Sequence, residues 1–227
     1  MIKGRVFCGA GIMVLLLVPC IVLGAEEHVQ DYFWPLQPGL VLHYESDDPG
    51  DPEKVSQLRH TIRIAEIKKA SGSRDVIVKT EEEFNGFGVN FAEPFEYLLL
   101  DAHSEIRQIG RGESRMMLKG PLIAGTKWPA SYEVYRYVDE EFKSRRTVES
   151  SCSIVDRTTE EWLDKRTTCL WVACPMQAGR TPYKEKSCFC KELGYIGSLI
   201  EEANGKTYWQ ERLVSVTPPG GGGEINR

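Results

Sequence analysis

The sequence predicts a mainly β protein, an antiparallel curved sheet or half-barrel built from two similar meander halves. Short segments rich in β-branched and aromatic residues alternate with turn-forming residues along most of the chain, as in antiparallel meanders. No long segment of the sequence shows the periodicity of an amphipathic helix. A turn motif that recurs in the second half of the chain indicates that the meander occurs twice.

The strand pattern occurs in both halves of the chain, and clusters of glycine, proline, asparagine, aspartate and serine interrupt it. In the first half the predicted strands are residues 40–46, 61–68, 75–82, 95–100 and 105–109. In the second half they are residues 132–138, 146–155, 166–173, 183–191, 196–201 and 207–216. Side chains alternate between apolar and polar over residues 148–154, which is typical of a sheet with one solvated face.

The recurring element is a Pro-Leu-x-x-Gly turn that leads into an aromatic-containing strand. It occurs as Pro35-Leu36-Gln37-Pro38-Gly39 and, 86 residues later, as Pro121-Leu122-Ile123-Ala124-Gly125. We therefore predict one β-rich domain over residues 26–216, composed of similar halves at about 31–113 and 118–216. The remaining residues, 217–227, are rich in proline and glycine and are predicted to form a flexible tail.

The N-terminus has the layout of a secretion signal. Lys3 and Arg5 precede an uncharged stretch that ends in small residues near Ala25. Residues 1–25 are therefore predicted to be a cleaved signal peptide, which places the mature protein in the periplasm or outside the cell. The alternatives are a retained anchor, because about 20 apolar residues can cross a bilayer, and a lipid on Cys20, which the preceding Pro19 disfavours. Membrane association is expected only in those two cases.

The charge of the chain argues against a nucleic-acid partner. The formal net charge is −5, and removal of Lys3 and Arg5 with the signal changes it to −7. A chain of this sign repels a phosphate backbone. About 200 mature residues are enough to bury a substantial core within one domain.

Five cysteines remain after removal of the signal, and all lie in the second half of the chain. These candidate disulfide residues are Cys152, Cys169, Cys174, Cys188 and Cys190. In an oxidising compartment they predict one or two disulfides and at least one unpaired thiol. A hairpin over residues 166–191 brings Cys169 opposite Cys188 or Cys190, whereas a tighter hairpin around Glu160-Glu161 brings Cys152 opposite Cys169. These bonds are competing predictions, because Cys169 can form only one of them.

The sequence contains no recognisable catalytic, metal-binding or cofactor-binding motif. Its cysteines lack the two closely spaced pairs of a structural zinc site, and its histidines, including His60, are not spaced as ligand pairs. The nucleophile-elbow, zinc-protease and phosphate-loop patterns are absent from the sequence. The acidic run Glu81-Glu82-Glu83 is expected to be a solvated strand edge. These observations predict a protein that is not an enzyme and that uses neither a cofactor nor a metal, with a hydrolase as the least favoured alternative.

Aromatic residues are the side chains best suited to a binding role. The candidates for an apolar groove or for the core are Trp34, Tyr44, Phe95, Tyr97, Trp128, Tyr135 and Tyr137. Packing of a twisted sheet accounts for most residues of this kind. A curved sheet lined by them can also hold an apolar or lipid-like ligand.

Several segments resemble a group of poorly characterised bacterial envelope proteins and lipoproteins. The opening Tyr32-Phe33-Trp34-Pro35-Leu36-Gln37-Pro38-Gly39 and the later segment from Pro121 to Trp128 resemble the repeated element of that group. Residues 168–172 resemble its Cys-x-x-Val strand, and residues 193–197 its glycine-rich turn. The resemblance implies an antiparallel, curved or half-barrel sheet in the cell envelope, and it implies no catalytic residues.

The function predicted on these grounds is that of a non-enzymatic, exported cell-envelope protein that binds an apolar or lipid-like ligand on its curved sheet. The alternative is an interaction or assembly module, which would offer its sheet edges or its glycine tail to another envelope protein.

Overall fold

The structure is a computed structural model of the chain. It describes residues 27–47, 58–69, 71, 73–86, 89–110, 113–138, 141–178, 181–220 and 225–226. The predicted signal peptide, residues 1–25, lies outside this part, as do residues 221–224 of the predicted tail. Within these ranges, no helix combines the length and the apolar character that a membrane span requires.

One antiparallel sheet contains all the strands of the described ranges. The first six strands are β1 (Val41–Asp47), β2 (Leu58–Lys69), β3 (Val76–Gly86), β4 (Val89–Leu100), β5 (Glu105–Gly110) and β6 (Glu113–Lys119). The next six strands are β7 (Lys127–Val138), β8 (Glu141–Trp162), β9 (Lys165–Ala178), β10 (Thr181–Cys190), β11 (Gly194–Glu202) and β12 (Thr207–Thr217). Short 3-10 helices cover Val29–Tyr32 and Asp101–His103, and within the tail β13 (Ile225–Asn226) pairs with β12.

The predicted fold class is confirmed: the protein is an antiparallel sheet that curves into a nearly closed barrel. Each predicted strand segment lies largely within an observed strand, although several observed strands are longer. The sequence prediction omitted β6, whose residues 113–119 include no β-branched or aromatic side chain. Strand pairing with β5 determines this segment, rather than its own propensity.

The order of the strands around the barrel joins two meanders at one ladder. The order is β6-β5-β4-β3-β2-β1-β12-β11-β10-β9-β8-β7, so β1 and β12 connect the halves. The two outermost strands, β6 and β7, approach each other. No ladder joins them in the described strands. We call this unpaired junction the β6/β7 seam.

The two Pro-Leu-x-x-Gly turns make the same hydrogen bonds. In the first, the Gly39 amide donates to the Ile64 carbonyl over 2.7 Å, and Gly39 adopts a φ of 87°. In the second, the Gly125 amide donates to the Ile154 carbonyl over 2.8 Å, and Gly125 adopts a φ of 94°. Only glycine adopts this backbone conformation without strain. Each turn thus attaches the start of the first strand of its meander to the second strand.

Period-two alternation places the core on one face of the strands. Burial alternates with solvent contact along β1 from residue 41 to 47, and the buried positions include Leu42 and Tyr44. Ile62 and Ile64 on β2 and Val78 on β3 are at most 1% exposed. Full burial of one such side chain contributes about 1.5–3 kcal/mol. The aliphatic part of the core therefore holds the sheet in its curved form.

Two disulfides fasten β9 to the strands on both sides of it. Cys152 on β8 is bonded to Cys174, and Cys169 is bonded to Cys190 on β10. Cys169 and Cys190 are directly opposite each other in the β9–β10 ladder, and the Cys152–Cys174 bond lies one residue beyond the Ser153–Ala173 pair of the β8–β9 ladder.

The predicted Cys152–Cys169 pairing is therefore wrong, because the turn between β8 and β9 lies at Leu163-Asp164 rather than at residues 160–161. This turn sets Thr158 opposite Cys169, and a bulge between Ile154 and Asp156 then sets Ser153 opposite Ala173, next to the bonded Cys152 and Cys174. The alternative bond from Cys169 to Cys190 is the one present. Cys188 carries a free thiol in the structure.

Candidate functional site

The barrel interior contains a cavity of about 370 Å³, which we call the inner cavity. Eight aromatic side chains line it, among them Phe33, Trp34, Phe95, Tyr97, Phe189 and Trp209. Aliphatic and thioether groups from β2, β5, β6, β9 and β11 complete its apolar wall. A volume in this range is typical of small-molecule sites, which are mostly apolar with a few placed polar groups.

A buried charged triad forms one wall of the inner cavity. His60 Nε2 lies 3.1 Å from a carboxylate oxygen of Glu82, and His60 Nδ1 lies 3.1 Å from a carboxylate oxygen of Glu211. The side chains are 9%, 2% and 14% exposed for His60, Glu82 and Glu211, respectively. The three residues come from β2, β3 and β12. A protonated imidazole can donate to both carboxylates at once.

The charge of the triad follows from these contacts. Burial by itself lowers the pKa of His60, but the hydrogen bonds and negative charges of Glu211 and Glu82 outweigh burial and raise the pKa to about 9. His60 is therefore a cation at neutral pH. Two carboxylates around one imidazolium leave the triad with a formal charge of −1.

Hydroxyl groups also donate hydrogen bonds to the two carboxylates of the triad. Glu82 accepts hydrogen bonds from Thr80 Oγ1 over 3.0 Å and from the Tyr97 hydroxyl over 2.8 Å. Glu211 accepts from the Tyr195 hydroxyl over 2.6 Å. Burial, followed by the nearby carboxylate charge, raises the pKa of both tyrosines well above the ordinary value. Both tyrosines are therefore neutral donors at physiological pH.

Aromatic rings hold the triad in position. The His60 ring stacks on Phe84 with 4.1 Å between centroids and an interplanar angle of 14°. The Tyr44 ring stacks on its other side at 5.5 Å. The Tyr44 hydroxyl donates to the Tyr195 carbonyl over 2.8 Å and accepts from Trp34 Nε1 over 3.0 Å. These contacts restrict rotation of the imidazole.

A second ion pair crosses the interior. The Nη2 group of Arg115 on β6 donates a hydrogen bond over 2.7 Å to a carboxylate oxygen of Glu185 on β10. The charge of Glu185 raises the pKa of Arg115 still further above its already high ordinary value. The Arg115 side chain is nevertheless 46% exposed, because it borders open cavity space.

A larger hollow of about 670 Å³ lies at the β6/β7 seam, and we call it the seam cavity. Its wall includes Met116 on β6, Pro129 on β7 and the disulfide residues Cys152 and Cys174. Arg115, Met176 and Glu185 line the seam cavity and also the inner cavity. The Arg115–Glu185 pair therefore lies at the junction between the two spaces.

The structure places the aromatic candidates in three different settings. Trp34, Phe95 and Tyr97 line the inner cavity. Tyr44 is 1% exposed and packs behind that wall, and Trp128 is 2% exposed in the core, away from both cavity linings. The remaining candidates, Tyr135 and Tyr137, are on β7, but their side chains lie outside the described part of the structure.

The sequence interpretation missed the charged residues of the interior. Glu82 is not on a solvated edge as expected: it is buried, because it follows Val76, Val78 and Thr80 on the same face of β3. The same period-two signal was present around His60, which shares a face with Ile62. No local signal identifies Glu211 or Arg115, because their partners are 151 and 70 residues away.

Three of the cysteine sulfurs cluster within 4.8 Å of one another, those of Cys169, Cys188 and Cys190. Two of these sulfurs are bonded to each other. Burial, followed by the charge of Glu160, raises the pKa of the Cys188 thiol far above its ordinary value. A thiol held in its protonated form is a poor nucleophile and a poor metal ligand. In its oxidised form this cluster is therefore structural.

Comparison with known proteins establishes the fold. No family model and no curated protein sequence matches the chain. One similar crystal structure is that of a Bacteroides fragilis protein, which is provisionally classed as exported and has a YmcC-like fold. Its sequence is 8% identical to this chain, and the TM-score is 0.55. A second is the crystal structure of a Parabacteroides distasonis protein that is provisionally classed as a lipoprotein. Its sequence is 10% identical to this chain, and the TM-score is 0.54. Each match covers 80% of this chain and 96% of the other. The chain thus shares the YmcC-like fold.

Proposed function

We propose that this protein is an exported, non-enzymatic binding protein that holds an apolar or lipid-like ligand in its inner cavity. The observation that supports this most directly is the aromatic-lined cavity of about 370 Å³ inside the barrel. At about 30 Å³ for each water-sized group, this space accommodates a ligand portion of about a dozen heavy atoms. The two disulfides favour an extracytoplasmic location.

The polar groups of the triad support binding rather than catalysis. Glu82 accepts three hydrogen bonds, from His60, Thr80 and Tyr97, out of about four that a carboxylate can accept, and its side chain is 2% exposed. A general base needs a lone pair that can reach a substrate proton. The triad instead fixes the positions of β2, β3 and β12 around the cavity.

The β6/β7 seam provides a route of access to the inner cavity. The halves of the barrel begin with equivalent turns, and β1 at the start of the first half pairs with β12 at the end of the second. The equivalent pair is β7 with β6, and no ladder joins these strands in the described part of the structure. A ligand can pass here without breaking a ladder.

The test is direct binding of a neutral apolar probe. Isothermal titration calorimetry with 1-decanol is expected to show one site per chain and a negative heat-capacity change, which is the mark of apolar burial. Met117→Trp adds bulk to the wall of the inner cavity and should abolish binding. Ile123→Trp, at a site that is 58% exposed, is the matched control and should bind normally.

Two results would contradict the proposal. One is the absence of decanol binding by the folded protein, together with empty protein in native mass spectra after purification from its own envelope. The other is undiminished decanol binding by Met117→Trp, because the ligand would then bind elsewhere.

The second candidate function is assembly with another envelope protein, and the unpaired edges at the seam favour it. An extended segment can add to a free strand edge through backbone hydrogen bonds. A photocrosslinker at Ser131 of β7, which is exposed in the seam cavity, would then capture a specific partner. The same crosslinker at Glu192, which is exposed in the turn after β10, is the control position.

A further inference from the structure

We propose that the ligand of the inner cavity is an amphipathic anion whose carboxylate or phosphate group is bound by Arg115 and Gln108, with its apolar part among the aromatic rings. This inference rests on the proposed binding function and specifies the chemical class of the ligand. The argument depends on which charged group at the cavity still has bonding capacity that a ligand can reach.

Arg115 is the charged group with that capacity. A guanidinium has five N–H donors, and the ion pair with Glu185 uses the Nη2 end. The side chain remains 46% exposed within the walls of the two cavities. Arginine presents a planar fork that matches the oxygens of a carboxylate or phosphate. A ligand anion can therefore approach this fork from the open side.

Gln108 supplies a second donor beside Arg115. The two residues are directly opposite each other in the β5–β6 ladder, so their side chains project from the same face of the sheet. Gln108 Nε2 donates over 2.8 Å to the hydroxyl of Tyr97, which leaves the other N–H of the amide for a ligand. Both residues line the inner cavity. Arg115 and Gln108 thus form a polar corner in a largely aromatic chamber.

The carboxylates of the cavity are less suited to receive a cation. The Glu82 side chain is 2% exposed and accepts three hydrogen bonds. The Glu211 side chain is 14% exposed and its two oxygens accept from His60 and Tyr195. Glu185 accepts from Arg115 and from Ser187 Oγ over 3.3 Å. An alkylammonium ligand would have to compete with these internal donors, whereas an anion meets unused ones.

The residual charge of the interior opposes an anion but does not reverse the preference. His60 lies between Glu82 and Glu211, so that its positive charge offsets much of their field at a distance. A ligand anion would be in direct contact with Arg115, and Coulomb interactions weaken with distance. Glu185 is the closest opposing charge, and removing it should strengthen the binding of an anion.

The experiment compares four ten-carbon ligands by calorimetry at pH 7.5: decanoate, decyl phosphate, 1-decanol and decylammonium. We expect at least one of the two anions to bind about tenfold or more tightly than decanol, in line with charge-assisted hydrogen bonds to arginine. Decylammonium is expected to bind more weakly than decanol. The relative affinities of decanoate and decyl phosphate show whether a carboxylate or a phosphate is the better headgroup.

Variants then assign this preference to Arg115. Arg115→Gln should remove the anion preference, so that the preferred anion binds no more tightly than decanol does to the same variant. Glu185→Gln should increase the anion affinity. Arg107→Gln is the matched control, because Arg107 lines the seam cavity but not the inner cavity and pairs with Glu105. This control should behave as wild type.

The outcomes separate this inference from the proposed function. Decanol binding without a preference for either anion, or an anion preference that persists in Arg115→Gln, overturns the inference and leaves the proposed function intact. Failure of all four ligands to bind overturns both. If Arg115→Gln does not fold, Arg115→Lys retains the charge without the fork, and it should lose most of the anion preference.

Discussion

Raising the pH from 6 to 9.5 should remove about 3 kcal/mol of the free energy of unfolding, through deprotonation of His60. The pKa of His60 is about 9 in the folded protein, against an ordinary value near 6.5. Each pKa unit corresponds to about 1.4 kcal/mol of difference between the protonation states. Because the folded-state pKa is raised, this stability is fully present below pH 6.5 and is lost as the pH rises through 9.

The groups that face His60 produce this window. Glu82 from β3 and Glu211 from β12 contribute the negative charges, while the rings of Tyr44 and Phe84 exclude water from the two faces of the imidazole. The raised pKa values of the buried tyrosines keep them protonated in the native state over the same range. Deprotonation of His60 would leave two carboxylates buried together without their cation.

The assay is guanidinium unfolding followed by tryptophan fluorescence at half-unit intervals from pH 6 to 9.5. His60→Gln is the control and should lack this pH dependence, while being less stable than wild type at pH 6 by about 3–5 kcal/mol, the range for breaking a buried ion pair. An NMR titration of the His60 ring measures the pKa in the folded protein directly. A midpoint near 6.5, or the same loss of stability with pH in both proteins, would refute the reasoning.

Three further predictions concern the framework of the barrel. Gly194→Ala should destabilise the protein by about 2–5 kcal/mol in thermal unfolding, because at φ 78° a β-carbon would lie 2.5 Å from the Trp34 backbone nitrogen. Gly205→Ala, at φ 82° with open space around it, should lower the free energy of unfolding by only about 1–2 kcal/mol. Equal destabilisation by the two substitutions would contradict the predicted clash at Gly194. Trp34→Phe should lower the free energy of unfolding by about 1–2 kcal/mol more than Trp128→Phe in the same measurement. The reason is that Trp34 Nε1 donates to two oxygens, whereas Trp128 Nε1 is buried without a hydrogen bond in the described residues. Peptide mapping after alkylation of the denatured, unreduced protein should find Cys188 as the single alkylated cysteine between residues 152 and 190. In the native protein, burial should protect Cys188 from alkylation. Alkylation of any other cysteine in this range would contradict the disulfide pairing.

The strands could be predicted from sequence because their signal is local. β1, for example, alternates buried and partly exposed side chains along residues 41–47, and β-branched and aromatic residues recur at the same spacing in the other predicted strands. The Pro-Leu-x-x-Gly turn could be recognised twice because its five residues are contiguous. Glu82 shows the limit of this approach, because an acidic run reads as solvated unless the face of each residue is followed along the whole strand.

The sequence by itself determined the strand periodicity, the antiparallel curved sheet and the aromatic residues from which a cavity is built. The tertiary structure decided which of those rings line the cavity, which cysteines are bonded and where charge is buried. His60 and Glu211 are 151 residues apart and Arg115 and Glu185 are 70 residues apart, yet both pairs meet inside the barrel. These contacts depend on ladder register, on bulges such as the one between Ile106 and Arg107 in the β5–β6 ladder, and on the order of strands around the barrel. All three are properties of pairing between distant segments, and no local pattern of residues encodes them.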